Sequence, residues 1–541
     1  MLVSSVVLCL LIALVKAKNA SVTYDQTTGK FQIHDYIAND PVAYGTFTDE
    51  IFKVGWSYLE IKSYEKYPDP IQAYAAGVVE GYLTADLLRK HFSNLVDGYC
   101  DGEEIYCQRL TSFLQENWDF IDSNVKVRRK YDVYWHQIAL TFEQLHGLED
   151  GYKNVTSQPS TKVDLMGLLL LNIMGDLEDL EVVLKKNDMR RVLGSGHCSG
   201  LIKVLPNNKD ILFSQVTWST YTSMLRILKK YSLKLHTSLA DGSPVIPGHT
   251  STFSSQPGVL YSGDDFYVLS SGLVAIETTF GNGNDSLWKY VVPQTILEWQ
   301  RNIIANRLAK TGKQWVTLFG ILNSGTYNNQ WMVVDYNKFK PGSPLQDGLL
   351  YVLEQLPGYL HSEDRTDVLR NQGYWPSYNV AYFKDIFVMS GAQANADKYG
   401  DWFTYERNPR ALIFQRDHKK VQDIDSMIKL MRYNDYTNDP LSRCNCTPPY
   451  SAENAISARC DLNPVNGTYP FAALGHRQHG ATDMKLTSYE LQKNYEFVAI
   501  SGPTYDPLPP FQWSKSDFDK KVKHEGHPDL WQFKPIVHKW L

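Results

Sequence analysis

The spacing of apolar positions divides the chain into regions of different periodicity. Residues 18–65 alternate apolar and polar side chains, as in 42–47 and 56–61, which is typical of β-strands. From residue 70 to 186, apolar side chains recur every three or four positions, which predicts α-helices. The predicted helices cover residues 71–95, 110–121, 131–145 and 163–184.

Beyond residue 198 the two periodicities are interleaved. The pattern predicts strands within 258–268, 272–280 and 315–334, and helices over 218–233, 293–309 and 422–432. Strands and helices therefore follow one another without a regular alternation. We predict an α+β fold class for the chain.

A cysteine flanked by small residues, Cys198, stands at the head of a predicted β-hairpin. Residues 201–205 form the first strand, 207–210 the turn and 211–218 the return strand. The small neighbours leave the thiol accessible and the preceding peptide bond open to cleavage. An α-amine freed there, with a pKa of about 8, could serve as the base for its own thiol. A buried structural cysteine in a glycine-rich loop is the alternative.

The amino-terminal residues predict a secretory route. Residues 1–17 contain an apolar run, 6–15, that is too short to span a bilayer and is followed by the small residue Ala17. We expect a signal peptide, a lysosomal or extracellular location and no stable membrane insertion. The candidate N-glycosylation sites are Asn19, Asn154, Asn284, Asn445 and Asn466.

The cysteines fit an oxidising compartment. Of seven, Cys9 lies in the signal segment. Cys100 and Cys107 are close enough for a local disulfide, and the trio of Cys444, Cys446 and Cys460 is expected to supply a second one, with its pairing open. Cys198 is then either a free thiol or a partner of one member of that trio. No spacing typical of a zinc site occurs, so no metal is predicted.

Composition narrows the classes of function. The net charge is −5 and the basic residues are scattered, which argues against nucleic-acid binding. The aromatic content of 13% favours a large ordered globule over a disordered chain. No cofactor is expected, and the oligomeric state is not predicted.

Several short motifs carry a family resemblance. They are AAGVVEGYLT at 75–84, GHCSGLIK at 196–203, NSGTYNNQW at 323–331, YWPSYN at 374–379, GDWF at 400–403 and NPRA at 408–411. Together they resemble the phospholipase B-like, or lamina ancestor, family from about residue 40 to the carboxyl terminus. The end of the chain is more similar to the lysosomal branch 2 of that family than to branch 1.

The resemblance implies a fold and a maturation step. Its members have the N-terminal-nucleophile (Ntn) hydrolase fold, a four-layer αββα sandwich, here with an added N-terminal helical region. They are precursors that cleave themselves before the nucleophilic cysteine. By position the cut falls between His197 and Cys198, leaving two associated chains, 18–197 and 198–541.

The resemblance also implies a set of catalytic residues. Cys198 is the nucleophile, Asn379 donates to the oxyanion, Arg410 holds the α-amine region or the charge of the leaving group, and Trp218 lines the acyl pocket. Gln215 is the supporting position on the return strand. Many members carry a histidine at or beside it, and glutamine cannot titrate near pH 6 as histidine does.

Three functions follow from these expectations. The resemblance implies hydrolysis of acyl esters of glycerophospholipids through a thioester. Related enzymes with an N-terminal cysteine more often cleave amides, so N-acyl lipids or small amides are an alternative substrate class. A processed glycoprotein that binds lipid or a partner without turnover is another, which the glutamine at 215 favours. A papain-like protease fits less well because its local signature is missing around Cys198.

Overall fold

The computed structural model describes residues 17–155, 163–188, 192–193 and 197–540, and the α+β class is confirmed. The strands are β1 (Lys18–Asp25), β2 (Lys30–His34), β3 (Ala43–Glu50), β4 (Trp56–Ser63), β5 (Cys198–Val204), β6 (Ile211–Thr220), β7 (Ile227–Ser232), β8 (Thr250–Ser255), β9 (Phe266–Leu269), β10 (Leu273–Thr279), β11 (Asn329–Asp335), β12 (Leu350–Leu356), β13 (Tyr359–Asp364), β14 (Tyr374–Ser377), β15 (His479–Ala481), β16 (Asp483–Thr487), β17 (Val498–Ser501), β18 (Phe511–Gln512), β19 (Leu530–Trp531) and β20 (Ile536–Val537).

The helices belong mostly to the first third of the chain and to the region beyond residue 290. They are α1 (Ile51–Val54), α2 (Asp69–Leu95), α3 (Glu104–Arg128), α4 (Val133–Val155), α5 (Leu165–Asn172), α6 (Met174–Val183), α7 (Glu298–Leu308), α8 (Gly312–Phe319), α9 (Thr366–Gln372), α10 (Lys384–Met389), α11 (Ala392–Tyr399), α12 (Pro409–Asp417), α13 (Ile424–Met431) and α14 (Tyr489–Gln492).

Two large sheets form the centre of the molecule. The larger has eleven strands in the order β13-β12-β11-β10-β9-β8-β7-β4-β3-β1-β2, and the smaller has seven, β14-β5-β6-β16-β17-β20 with β15 beside β6. All neighbours in the larger sheet are antiparallel except β4 and β7, which pair in parallel from Ser57 with Ile227 to Lys62 with Ser232. The first four strands of the chain therefore extend a sheet whose other strands all come after residue 226.

Apolar side chains on both faces of each sheet explain how the layers are held together. One face of the larger sheet packs against α2, α7 and α8, for example through Ala75 and Trp315. Its other face packs against the smaller sheet, where Ile276 of β10 shares a core with Ile202 and Phe213. The far face of the smaller sheet is covered by α12 and α13. Strands in such a position are buried on both sides, which is why β5 and β10 read as continuous buried runs.

The two longest amino-terminal helices approach each other at the level of the backbone. A Cβ atom on Gly77 or Gly81 of α2 would lie 2.0 or 2.1 Å from a carbonyl oxygen of α4, and one on Gly147 or Gly151 would meet α2 equally closely. The absence of side chains at these four positions lets the helix axes come together without a layer of side chains between them.

Most predicted elements are found, with shifted ends, and two predictions of element type are wrong. The predicted helix over 218–233 is instead the end of β6, a short 3₁₀ turn and β7, and the predicted strand over 315–334 contains α8 before β11 begins. In β7 the buried Lys229 donates to Glu80 Oε1 of α2 at 2.7 Å. A buried ion pair puts a charged residue at an interior position, which disrupts the alternation on which a strand prediction depends.

Two further segments differ in detail. The single helix predicted over 163–184 is divided into α5 and α6 at Ile173, whose φ of −111° and ψ of 19° are not helical. Of the predicted strand 258–268 only its end, β9, is extended. The hairpin predicted at Cys198 is confirmed as β5 and β6.

The disulfides settle one open question of the sequence. Cys100 pairs with Cys107 and Cys444 pairs with Cys446, while Cys198 and Cys460 keep free thiols. The expected place of Cys460 in a disulfide is therefore wrong, because its neighbours in the trio bond to each other and its buried Sγ contacts Glu453 Oε2 at 2.5 Å instead. The alternative of a disulfide through Cys198 is also not found.

The exposure of the glycosylation candidates differs from site to site. Asn19, Asn154, Asn445 and Asn466 are exposed, whereas Asn284 is half-buried and donates from Nδ2 to the Met389 carbonyl at 2.9 Å. Within the described ranges no helix combines the length and the apolar character needed to cross a membrane. The predicted signal segment, apart from Ala17, and residues 189–191 and 194–196 ahead of the hairpin lie outside the described residues.

Candidate active site

Cys198 opens β5, at the point where the two large sheets face each other. Its backbone pairs with Thr217 of β6, and its side chain is 2% exposed. The carbonyl oxygen of the preceding residue, His197, accepts a short hydrogen bond from the Trp218 backbone N–H. The peptide bond before the thiol is thus held by the return strand of the same hairpin.

Arg410 joins this hairpin to the loop that follows β14. Its Nη1 donates to the Cys198 carbonyl at 2.8 Å and to Ser199 Oγ at 3.2 Å, while Nη2 donates to the Tyr378 carbonyl at 2.7 Å. The guanidinium lies 4.3 Å from the centre of the Trp218 ring, and burial lowers its pKa to about 10. Asn408 caps α12 and so fixes the start of the helix that carries Arg410.

A pair of buried carboxyl groups lies on the other side of the thiol. Glu277 Oε1, from β10, is 3.7 Å from Cys198 Sγ, and the Tyr327 hydroxyl donates to Asp265 Oδ2 at 3.0 Å and to Glu277 Oε1 at 3.4 Å. Burial raises the pKa of Glu277 to about 8, and burial together with the charge of Glu277 raises that of Asp265. Because the two carboxyl groups interact closely, they lose their protons in steps that describe the pair and not either residue alone.

Lys485, on β16 of the smaller sheet, places positive charge near the thiol. Lys485 Nζ donates to Asp483 Oδ1 at 2.8 Å, and Asp483 also accepts from the Thr217 backbone N–H at 3.0 Å and from Arg226 Nη2 at 2.6 Å. Burial lowers the pKa of Lys485 to about 8. The pKa of the Cys198 thiol is raised by burial first and by Glu277 second, against a smaller opposing effect of Lys485. In the uncut chain the thiol is therefore protonated.

Gln215 and Asn379 lie close to this centre but contact it through other residues. Gln215 is fully buried and donates from Nε2 to the Glu277 carbonyl at 2.9 Å. Asn379 has a φ of 67° and donates from Nδ2 to the Thr279 carbonyl at 2.5 Å, while its buried Oδ1 has no partner. The amide expected to donate to an oxyanion is engaged by β10 in this state.

Two cavities meet at the residue before Cys198. The larger, about 510 Å³, is lined by Cys198, Trp218 and Tyr261, and the smaller, about 280 Å³, by Asn379, Phe280 and Trp402. His197 and Tyr327 line both. His197 Nε2 lies 3.2 Å from Glu178 Oε2 of α6, so the residue before the thiol is anchored between the two spaces.

Sequence reasoning missed the residues that surround the thiol from the sheets. Glu277, Asp265, Lys485, Asp483 and Tyr327 were not predicted, although all are buried. A signal was present in the sequences of β10, LVAIETT, and β16, DMKLT, where the ionisable residues Glu277, Asp483 and Lys485 stand among apolar ones. Charged residues inside an otherwise apolar strand indicate either an internal ion pair or a reactive site.

Comparisons with known proteins find one family that matches almost the whole chain. A family model described as Phospholipase B matches residues 43–538. A phospholipase B-like 2 protein of Mus musculus is 48% identical over 532 residues, which cover 97% of this chain and 89% of the relative. A phospholipase B-like 1 protein of Caenorhabditis elegans is 46% identical, covering 91% and 86%, and phospholipase B-like protein B of Dictyostelium discoideum is 38% identical, covering 95% and 88%.

A solved structure, a Cys-to-Ala mutant of the conjugated bile acid hydrolase of Clostridium perfringens, is 13% identical, with a TM-score of 0.29 over 64% of this chain and 97% of that one. The family match spans most of the chain, and it includes the motifs around Cys198, Asn379 and Arg410. The chain therefore belongs to the phospholipase B-like family.

Proposed function

We propose that the chain is a self-processing hydrolase of acyl bonds in which Cys198 is the nucleophile. Family membership supports the hydrolase class, because the relatives are named as phospholipase B-like proteins. The succession of helices, larger sheet, smaller sheet and helices supports an Ntn-type αββα sandwich. Within it the thiol stands at the first residue of a strand between the sheets.

A hydrogen bond to the carbonyl group before Cys198 supports the first chemical step, which is cleavage of the peptide bond. The Trp218 N–H donates to the His197 carbonyl oxygen, which is the oxygen that would become negative if the Cys198 thiol attacked the preceding peptide carbon. In the proposed step the Sγ–C bond forms as the C–N bond breaks, and the thiol proton passes to the departing amine. Breaking the C–N bond frees the amino terminus of Cys198 and leaves the His197 acyl group on Sγ as a thioester. Water then hydrolyses this thioester, which releases the His197 carboxylate and restores the Cys198 thiol.

Cleavage would also change the protonation of the thiol. In the uncut chain, burial and Glu277 keep the thiol pKa high, and the nitrogen of Cys198 is an amide that cannot act as a base. The new α-amine supplies a base within the same residue. The thiolate then attacks the acyl carbonyl of the substrate, and the leaving group takes a proton from that amine.

The proposed substrate is a glycerophospholipid acyl ester, as the family name implies, reached through the larger cavity beside Trp218. An N-acyl lipid or small amide is the second candidate, because a thioester intermediate can form from either bond. The proposed route of the protein is the secretory pathway, ending in the lysosome or outside the cell.

Fragment analysis tests the processing step. The purified full chain and its Cys198→Ala variant are incubated at acidic pH, and the fragments are identified by amino-terminal sequencing and mass. We expect a fragment beginning at Cys198 in the unmodified protein and none in the variant. Cys460→Ala, which removes the other free buried thiol, is the matched control and should be cut normally.

An uncut chain, or cuts only before residue 192 in both proteins, would refute self-processing at Cys198. The processed protein is then offered an ester and an amide with the same acyl chain. Turnover of the ester supports the phospholipase assignment, turnover of the amide alone supports the second candidate, and turnover of neither favours a binding protein.

A further inference from the structure

A triad of metal-ligating residues lies beside the larger cavity. We propose that Glu453, Cys460 and His479 bind one Zn²⁺ ion, with His479 in the wall of the cavity that Cys198 also lines. One ligand atom from each of the three lies within 4.8 Å of the other two. The residues stand 7 and 19 positions apart in the chain, a spacing that matches no common zinc motif.

Three different structural units bring the ligands together. Glu453 follows the Cys444–Cys446 loop, Cys460 begins the 3₁₀ turn Cys460–Leu462, and His479 begins β15. Pairing of β15 with β6 holds His479 opposite Thr220, on the same strand that carries Trp218. The site is therefore fixed to the sheet scaffold through His479, while Glu453 and Cys460 come from the irregular segment between α13 and β15.

The imidazole of His479 is the observation that points to a ligand. The residue is 7% exposed, yet neither Nδ1 nor Nε2 has a hydrogen-bond partner among the residues that the structure describes. A neutral imidazole has one donor and one acceptor, and leaving both unsatisfied in the interior costs free energy. An ion would be coordinated by the unprotonated ring nitrogen, which is the acceptor of the neutral imidazole. The ring already lies close to the other two ligand atoms.

The donor set selects the type of ion. A thiolate, an imidazole and a carboxylate are ligands that Zn²⁺ accepts together, and three protein ligands leave a fourth tetrahedral position open. Glu453 and Cys460 are almost fully buried, so a bound ion would supply positive charge to a carboxylate and a thiolate that bulk water does not reach. Binding requires the thiolate, so the Cys460 proton is released to solvent as the ion enters.

Arg477 is the main competitor for this position. Its Nη2 donates to Glu453 Oε2 at 3.1 Å and lies 3.7 Å from Cys460 Sγ. It also donates to the Ala473 carbonyl at 3.0 Å. With Zn²⁺ bound by one thiolate and one carboxylate, the first shell is neutral, and Arg477 can remain as a donor to the outer lone pairs of those ligands.

Metal binding by the full-length protein tests the site. The chelator-treated chain is titrated with Zn²⁺, and with Co²⁺ to observe the thiolate-to-metal absorption band, and the bound metal is counted by elemental analysis. Cys460→Ser and His479→Gln remove one ligand each. Cys198→Ala removes the other free thiol, and His476→Gln removes a nearby histidine that contacts Asp517 instead.

We expect one ion per chain and a Co²⁺–thiolate band in the unmodified protein and in both controls. Each ligand variant should bind at least about tenfold more weakly, since even outer-shell changes cost that much. Zn²⁺ should also raise the melting temperature of the controls but not of the ligand variants, provided that their far-ultraviolet circular dichroism shows a folded chain.

Two results would overturn the proposal. One is the absence of stoichiometric Zn²⁺ and of the cobalt band in the unmodified protein, which would leave a carboxyl–thiol–guanidinium cluster as the whole explanation. The other is equal metal uptake by folded His479→Gln or Cys460→Ser chains. Since Cys198→Ala is one of the controls, neither result depends on the proposed hydrolase activity.

Discussion

At the scale of single residues, the distinctive property of this protein is the number of ionisable groups packed around one thiol. Cys198, Glu277, Asp265, Lys485 and Arg410 are all buried. The family resemblance leads from the sequence to Cys198 and Arg410, which stand in recognisable motifs, and to Trp218, which lies on the return strand of the hairpin after Cys198. Glu277 and Lys485 could not be found that way, since their importance depends on which strands become neighbours.

Replacing Glu277 by glutamine keeps the shape of the side chain but removes its titratable carboxyl group. We propose that Glu277, whose Oε1 lies 3.7 Å from Cys198 Sγ, passes the thiol proton to the departing amine, so we expect self-cleavage to slow by about 10²- to 10⁴-fold in the variant, the usual contribution of a positioned acid or base. The rate of appearance of the Cys198 fragment measures this. Glu354→Gln is the matched control. Glu354 is another buried carboxyl group of the same sheet, and burial raises its pKa to about 7. It contacts Gln330 and Tyr382 instead of the thiol. An equal slowing in both variants would indicate a loss of folding, not of proton transfer.

Arg410→Lys tests whether a single positive charge is sufficient beside the thiol. Lysine cannot donate to the Cys198 and Tyr378 carbonyls together, so at least one buried carbonyl loses its partner. We expect the free energy of unfolding to fall by about 1.5 to 3 kcal/mol, measured by urea denaturation in the Cys198→Ala background.

Arg416→Lys is the control on the same helix. Arg416 is 40% exposed and pairs with Asp417 and Asp439, so its replacement should cost less than about 1 kcal/mol. Similar losses for the two variants would contradict a special role for Arg410.

At the scale of elements, burial and length explain where sequence reasoning succeeds and where it fails. Helix α3 exposes one side to solvent, so its periodicity is visible in the sequence, whereas α2 and α4 are largely buried and are recognised by their length of 27 and 23 residues. Strands β5, β6 and β10 are covered on both faces, and their patterns show little alternation. The segment 218–233 was misassigned for this reason, together with the buried charge of Lys229.

The contact between α2 and α4 predicts a large effect of one methyl group. In Gly81→Ala the new Cβ would lie 2.1 Å from the Leu148 carbonyl oxygen, so the helices must separate. Alanine favours a helix by about 1 kcal/mol over glycine, yet we expect a net loss of about 1 to 3 kcal/mol in the free energy of unfolding.

Gly283→Ala is a suitable control for that measurement, because its Cβ would lie 3.4 Å from the nearest atom, the Ser390 carbonyl oxygen. It should change the urea midpoint little. A Gly81→Ala chain that is as stable as the original would show that the helices can move apart at no cost.

At the scale of the whole molecule, buried ionisable groups make the free energy of unfolding depend on pH in opposite directions. Burial raises the pKa of Glu277 to about 8 and that of Glu354 to about 7, from an ordinary value of 4.5, so their contribution to stability falls as the pH rises through that range. Burial lowers the pKa of His91 and His527 to about 3, from an ordinary value of 6.5, so the contribution of these two groups rises with pH up to 6.5.

Urea denaturation of the Cys198→Ala chain at pH 5 and pH 8 measures this dependence. We expect Glu354→Gln to lower the midpoint more at pH 5 than at pH 8, because the protonated Glu354 carboxyl contributes most to stability in acid. The buried histidines and the aspartates with lowered pKa values, Asp69 and Asp483, are unchanged in the variant and affect both chains equally. An equal effect of the substitution at the two pH values would contradict the prediction.

The parallel pairing of β4 with β7 gives the proposed cut an unusual setting. β4 precedes residue 197 and β7 follows it, so the two products would share one uninterrupted sheet. Neither product contains a complete hydrophobic core, and neither could be exchanged as an independent module. The peptide bond before Cys198 would be needed while the chain folds, because it keeps β4 and β7 in one molecule. After folding, the pairing of the strands would hold the two products together without it. Breaking the chain would then be irreversible in practice, because halves once separated would lack the tether that first aligned their strands.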